Sequence, residues 1–311
     1  MSKKRHRMSL ESMSMSARRR ICKEWTMAYA FLAPALVLLI AFLVYPTYRT
    51  IILSFQEWNG LGDAEFIGLK NFREMFKARS FWTAVKHTFD YCFCETILSV
   101  LVGMCLALAI ERRVKGWQFY KFVFYISVML SVTVVSILFI QIMEPNYGVF
   151  NKMLDAVGLE NISGTWLANP KRAMGTVIAV STWQFSGFTM LLFLASMEGI
   201  NPGIHEAATI DGVTEIKRIF YITLPMIKRT ILVVVMFQFI FSLTSFDKFW
   251  VMTAGGPGDA TETLTTLLYR NATKFANYGY ASAVSVFLLA VVSVISIFYL
   301  RMTYLGDQVN E

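Results

Sequence analysis

The sequence predicts an all-α membrane protein that crosses the bilayer six times, and three observations carry that prediction. The chain has 311 residues, of which 56% are hydrophobic and 16% charged, whereas soluble domains average about 25% charged residues. Its apolar residues fall in six runs, at about 27–53, 88–110, 119–143, 173–197, 230–252 and 281–301. Each is long enough, at about 1.5 Å per helical residue, to cross roughly 30 Å of hydrocarbon. The basic residues, finally, concentrate in alternate connections. Residues 27–303 therefore read as one membrane domain, between a basic tail (1–26) and a short C-terminal tail (304–311).

The tail carries Lys3, Lys4, Arg5, Arg7, Arg18, Arg19, Arg20 and Lys23 against Glu11 and Glu24, so eight minus two gives +6 of the chain's net +8. A basic tail beside a span fixes topology and touches anionic lipid, so the net charge does not argue for nucleic acid. The first span is too long, and its basic region too extended, for a cleaved signal peptide, and reads as retained. The second and third spans are joined by a short loop with Arg112, Arg113 and Lys115, and the fourth and fifth by a loop with Lys217, Arg218, Lys228 and Arg229. Segments 56–80, 144–170 and 253–280 are balanced or poor in charge. The positive-inside rule places both termini and the loop at about 198–229 in the cytoplasm.

That loop contains Glu206-Ala207-Ala208-Thr209-Ile210-Asp211-Gly212 and then Ile222-Thr223-Leu224-Pro225. Ala207 and Ala208 favour a helix and let another surface approach. Glu206 offers a carboxylate to a cationic partner, and Gly212 permits a turn that a Cβ would hinder. Pro225 starts a helix or breaks one. Glu-Ala-Ala, three residues, Gly, nine residues, Ile-x-Leu-Pro closely resembles the cytoplasmic coupling loop of the permease subunits of ATP-binding-cassette importers. The resemblance implies the type I importer permease fold, with this loop forming two short helices that dock into a groove of the ATPase. It places Glu206, Ala207, Ala208, Asp211, Gly212, Ile222, Leu224 and Pro225 at that contact.

Other stretches agree. Thr253-Ala254-Gly255-Gly256-Pro257, continuing to Thr261, Leu264 and Tyr269, resembles the segment after the fifth span in one permease of carbohydrate importers, and reads as a compact outer turn. Pro34, Pro46, Ser54-Phe55, Trp58-Asn59 and Gly68-Leu69-Lys70-Asn71-Phe72 resemble the opening of the same group. The likeness runs from about residue 28 to 301 and is closest to the maltose-transporter type of the oligosaccharide branch. Extra N-terminal spans and a large outer domain, present in some members, are not seen in the sequence. The resemblance implies a prokaryotic cell-membrane subunit that passes a sugar or oligosaccharide delivered by an extracytoplasmic binding protein. Its implied partners are a second permease and two ATPase subunits. The chain itself is then not an enzyme and binds no cofactor, ATP and Mg belonging to the ATPase. The residues agree: no Gly-x-x-x-x-Gly-Lys-Ser/Thr loop is present, and His6, His87 and His205 form no zinc-protease pattern. His205 reads as a surface residue of the coupling helix.

A sugar path needs hydrogen-bonding groups and aromatic faces near mid-membrane, where lone polar groups are costly. Gln184 and Gln238 fall near the centres of the fourth and fifth spans. Gln238, Ser242 and Ser245 share a face by i, i+4, i+7 spacing, as do Thr182, Ser186 and Thr189. Phe185, Trp183 and Trp250 offer rings for stacking. Small hydroxyl residues serve helix packing equally well, and Ser282, Ser285, Ser293 and Ser296 read that way, interrupted by Leu289. Glu95, deep in the second span, must be paired, protonated or facing water. Asp247 and Lys248 read as interfacial. Cys92 and Cys94, two apart, point away from each other and make no metal pair; Cys22 and Cys105 add nothing, and the triplets at Asn161 and Asn271 are assigned no function. An ion-coupled secondary transporter would need paired intramembrane acids, and a membrane hydrolase a nucleophile–base or metal constellation. A polyol or glycerol phosphate is the runner-up substrate, but a phosphate would favour a mid-span Arg or Lys, and none is read there.

Overall fold

A computed structural model describes residues 15–308 apart from 114 and 161–163, with side chains from 25 to 301. The tail residues Lys3 to Arg7, Glu11 and the triplet at Asn161 lie outside the described residues, as do the side chains of Cys22 and its neighbours.

Helix α1 (Met15–Leu39) runs through a wide π-type turn at Ile40–Val44 into α2 (Tyr45–Leu53). The turn precedes Pro46, whose missing N–H is harmless in the first turn of α2. Phe31, Val37, Phe42 and Leu43 point outward from this first span. A two-stranded hairpin follows, β1 (Gln56–Glu57) antiparallel to β2 (Glu65–Phe66) with Gln56 opposite Phe66. Next come α3 (Lys70–Lys77) and the unbroken α4 (Arg79–Glu111). The chain continues through α5 (Trp117–Met129), α6 (Val132–Ile142), α7 (Val149–Ala156) and α8 (Pro170–Glu198). Two short helices, α9 (Pro202–Ile210) and α10 (Glu215–Arg218), lead through a second π-type turn at Ile219–Thr223 to α11 (Leu224–Met226). The last elements are α12 (Lys228–Leu243), α13 (Asp247–Met252), α14 (Leu264–Thr273) and α15 (Tyr278–Gln308).

The core is strung along α4, which packs most extensively against α8. Near its start, Phe81 and Ala84 meet Met75, Leu264 and Val284. Midway, Tyr91 and Cys92 meet Val177, Val180, Leu243 and Phe249. Toward its end, Ala107 and Ile110 meet Met190, Phe193 and Val234. Cys94 faces outward while Cys92 is buried, as their spacing requires.

Among the described residues, four helices are long and apolar enough to cross a membrane, and six spans result if each of two bent pairs counts as one. The third expected span is α5 and α6, bent by 100° at Leu130–Ser131, and the fifth is bent by 71° before α12. The expected fifth span at 230–252 also stops early, at Leu243. Where α12 ends, hydroxyls take up the freed backbone groups. The Thr244 hydroxyl donates to the Ile240 and Phe241 carbonyls, and the Thr265 hydroxyl to the Ser245 carbonyl at 2.7 Å. Ser245 therefore lies beyond α12 and does not continue the helical stripe of Gln238 and Ser242.

Candidate functional site

Helix α9 is built by its own sequence. The Asn201 side chain accepts a hydrogen bond from the Gly203 N–H at 2.9 Å, and Pro202 opens the first turn, the favoured chemistry for a helix start. At the other end the Gly212 N–H donates to the Thr209 carbonyl at 3.1 Å and the Val213 N–H to the Ala208 carbonyl at 3.0 Å. These two bonds form a Schellman cap, which needs a left-handed residue at its turn; Gly212 supplies it with φ of +67°. The spacing from Glu206-Ala207-Ala208 to Gly212 is thus the distance from the body of a helix to its cap. Asp211 is the last residue before the turn and is exposed.

Of the small side chains, Ala208 is buried and Ala207 exposed, so Ala208 seats the helix while Ala207 and Glu206 face away. Around them stands an exposed apolar surface of Ile210 (86% exposed), Ile216, Phe220 and Tyr221. Ile222 and Leu224 are half-buried, Leu224 packing against the core cluster that contains Ile227 and Val234. Pro225 lies in α11, just ahead of the bend. His205 is half-buried and, with Glu206, Arg113, Trp117 and Arg218, lines a cavity of about 310 Å³. An ion pair that the sequence reading missed ties this region to the end of α4: Arg112 Nη2 lies 2.6 Å from Glu215 Oε2. No local pattern marks it, since the partners are separated by two spans.

Mid-membrane, the polar residues converge on Glu95, which is 1% exposed. Its Oε1 accepts from Ser99 Oγ at 2.7 Å and Gln238 Nε2 at 2.6 Å, and its Oε2 accepts from Ser242 Oγ at 2.5 Å. Glu95 and Ser99 are one turn apart on α4, as Gln238 and Ser242 are on α12. Two such polar pairs at matching depth in the second and fifth spans are the signal that could have joined them. Lys248 departs from the interfacial reading: it is 1% exposed, with Nζ 4.9 Å from the centre of the Phe185 ring. The expectation of no mid-span cation therefore fails, because α13, beyond the break after Leu243, packs into the core, where Phe249 is also buried. Asp247 is exposed, as expected.

The other path candidates divide. Phe185 and Gln238 line one cavity of about 290 Å³ with Val128, Phe188, Phe237 and Phe241. Gln184, with 0% exposure, turns elsewhere: its Nε2 donates at 3.1 Å to the carbonyl of Leu130, the residue freed by the bend in the third span. One turn on, Gly187 lets the same strand of contacts close, since a Cβ there would lie 2.1 Å from the Phe124 carbonyl oxygen. Thr189 donates to the Ser99 and Ser186 carbonyls, within the α4–α8 contact. Thr182 and Ser186 are buried on the same face, and Trp183 meets Phe139 edge to face at 5.2 Å. Trp250 stacks on Phe246 and meets Tyr269 edge to face at 4.6 Å, in a cluster beside α14.

The connection from α13 to α14 is the expected compact turn. Ala254 and Gly255 have positive φ, and the Thr261 hydroxyl donates to the Gly256 carbonyl at 2.7 Å. It encloses Glu262, which contacts the Arg270 guanidinium; Arg270 also reaches Asp259 at 3.1 Å. Burial pushes the Glu262 carboxyl up to about 7, against the opposing pull of Arg270.

Six spans, one exposed two-helix segment and a buried polar cluster beside an aromatic cavity give the chain the form of a helical membrane permease. The chain belongs to the family described as "binding-protein-dependent transport system inner membrane component", whose model matches residues 99–308. It is 34% identical over 283 residues to a probable ABC transporter permease of Bacillus subtilis, covering 90% of this chain and 97% of that one. It is 33% identical over 284 residues to the sulfoquinovosyl glycerol transport system permease of Agrobacterium fabrum, covering 90% and 91%. Among solved structures, a bacterial alginate ABC transporter in complex with a pentasaccharide-bound periplasmic protein contains a chain of the same fold, with TM-score 0.81 and 26% identity over 92% of this chain and 96% of that one.

Proposed function

We propose that this chain is a permease subunit of an ATP-driven importer and forms part of the path for a sugar or oligosaccharide delivered by an extracytoplasmic binding protein. It pairs with a second permease and docks two ATPase subunits, which bind ATP and Mg; the chain itself is non-catalytic and holds no cofactor. It resides in the cell membrane of a prokaryote with both termini and α9 on the cytoplasmic side, the side that its basic connections favour. The observation that carries the reading is the capped α9, with Glu206 and Ala207 facing outward amid exposed Ile210, Ile216, Phe220 and Tyr221. A soluble partner with an apolar groove rimmed by basic residues fits that surface. Sugar as cargo is supported by the family relatives and by the aromatic cavity with Gln238 in its wall, a mostly apolar pocket with few polar groups. Lys248 does not favour a phosphate instead, because it is buried over Phe185 and does not line the cavity.

The test is purification of the tagged chain from its native membrane, followed by identification of its companions and measurement of uptake. Two ATPase copies and a second permease are expected, and Glu206→Lys should lose the ATPase. A chain that transports sugar alone, without ATPase, would instead support an ion-coupled carrier.

A further inference from the structure

We propose that Glu95 is a positioning residue for the transported sugar: it takes the amide nitrogen of Gln238 and so presents the amide oxygen of Gln238 to the aromatic cavity, as a fixed acceptor for a sugar hydroxyl. The proposal rests on the sugar reading above and deepens it. A glutamine amide left free in a cavity turns over and offers either a donor or an acceptor. Here the rotation is blocked. Gln238 Nε2 donates to Glu95 Oε1 at 2.6 Å, a short contact, and reversal of the amide would set two acceptor oxygens against each other.

The carboxyl group is in turn held on both sides, by Ser99 Oγ on its own helix and Ser242 Oγ on α12. The buried Lys248 side chain, whose Nζ has no hydrogen-bond acceptor of its own, lies over the Phe185 ring at 4.9 Å. Phe185 and Gln238 both line the cavity of about 290 Å³, so Glu95 backs Gln238 and Lys248 backs Phe185 without either being part of the wall. Such a wall combines ring faces, which suit the C–H surface of a sugar, with one acceptor that selects a hydroxyl at one position.

The test uses the assembled importer in proteoliposomes with its binding protein. The probe is whichever tritiated sugar the wild-type complex accumulates from a panel of neutral mono- to tetrasaccharides, compared with its monodeoxyfluoro analogues. Fluorine keeps the size of a hydroxyl but has no proton to donate. Rates are compared with the binding protein saturated by each analogue, and per copy of permease inserted. Wild type should carry one analogue roughly two- to tenfold more slowly than the parent sugar, the range of one hydrogen bond. Gln238→Ala should abolish that discrimination, and so should Glu95→Gln, which lets the amide turn. The double exchange Glu95→Gln with Gln238→Glu keeps an amide against a carboxylate and leaves an acceptor oxygen at 238; it should restore discrimination to within about twofold of wild type. Loss in Gln238→Ala with full retention in Glu95→Gln would overturn the positioning role while leaving the sugar path intact. Equal handling of every analogue by wild type would overturn the acceptor role as well. Accumulation of no sugar in the panel would bring down the carbohydrate reading itself. The double exchange also answers the case in which Glu95→Gln alone fails to insert.

Discussion

The proposed docking segment at 201–213 and the polar group around Glu95 are both held by hydrogen bonds, but over very different distances along the chain. In the docking segment every ordering bond spans five residues or fewer, from the Asn201 cap to the Val213–Ala208 closure. Around Glu95 the bonds to Gln238 and Ser242 join residues 143 and 147 apart. The first region keeps its shape while its outer face stays exposed, which suits a surface awaiting a partner. The second takes its shape only from the packed bundle, where an unpaired polar group would be costly. Local capping makes an interface, and long-range pairing makes an interior.

Substitutions can break or sharpen that contrast. The largest effect is expected from Glu206→Lys. Reversing a charge at a partly desolvated contact should weaken ATPase association by at least the 2–5 kcal/mol typical of losing one partner of a buried charge pair. Co-purified ATPase and ATP-driven uptake should both fall more than tenfold, with insertion unchanged. Full retention of both would remove α9 from the coupling role.

Gln184→Ala should act on the interior alone. It orphans the Leu130 carbonyl at the bend of α5 and α6, a loss of about 1–3 kcal/mol, read as a lower melting temperature in detergent with ATPase binding intact. Gly212→Ala forces a β-carbon into left-handed backbone at about 1–2 kcal/mol. Open space around that position means the penalty is conformational, and it should appear as weaker ATPase binding and not as lower stability of the spans.

A third region lies apart from both. Because the Glu262 carboxyl titrates near 7 in the fold against an ordinary value of 4.5, the folded state holds its proton more tightly than the unfolded state. Its contribution to stability is present in full below about 4.5 and is lost as pH rises through about 7. Thermal unfolding followed between those values should show the decline, Glu262→Gln should flatten it, and a rise with pH would refute it. Arg270, Asp259 and the nearby His87 ring, 3.2 Å from the Glu262 carbonyl, complete that surround. The smallest effect is expected from Arg112→Ala. Its pair with Glu215 is half exposed on both sides, and such pairs are worth about 0.2–1 kcal/mol, a change in coupling efficiency of fivefold or less.

The same contrast explains what was legible in the sequence. Glu206, Ala207, Ala208 and Gly212 stand out because a capped helix writes its start and stop into consecutive residues, and six apolar runs announce six spans. The bends were not legible. A run such as 119–143 is continuously apolar whether or not it kinks, and the group that stabilises the kink, Gln184, lies 54 residues beyond the Leu130 carbonyl that it meets. Lys248 was misplaced for a related reason: its burial depends on the break at 244–246, which a hydropathy pattern does not record. Glu95 was visibly out of place, but its partners could be found only by folding the second span against the fifth.

Helix α4 runs unbroken for 33 residues, about 50 Å at 1.5 Å per residue. The Arg112–Glu215 tie sits just past one end of it, and Glu95 lies some 25 Å back along its axis by the same rise. Because the core is strung along its whole length, α4 acts as a keel: the end beside α10 and the section that carries Glu95 belong to one stiff member, and a shift of either is shared with α8, which lies along it.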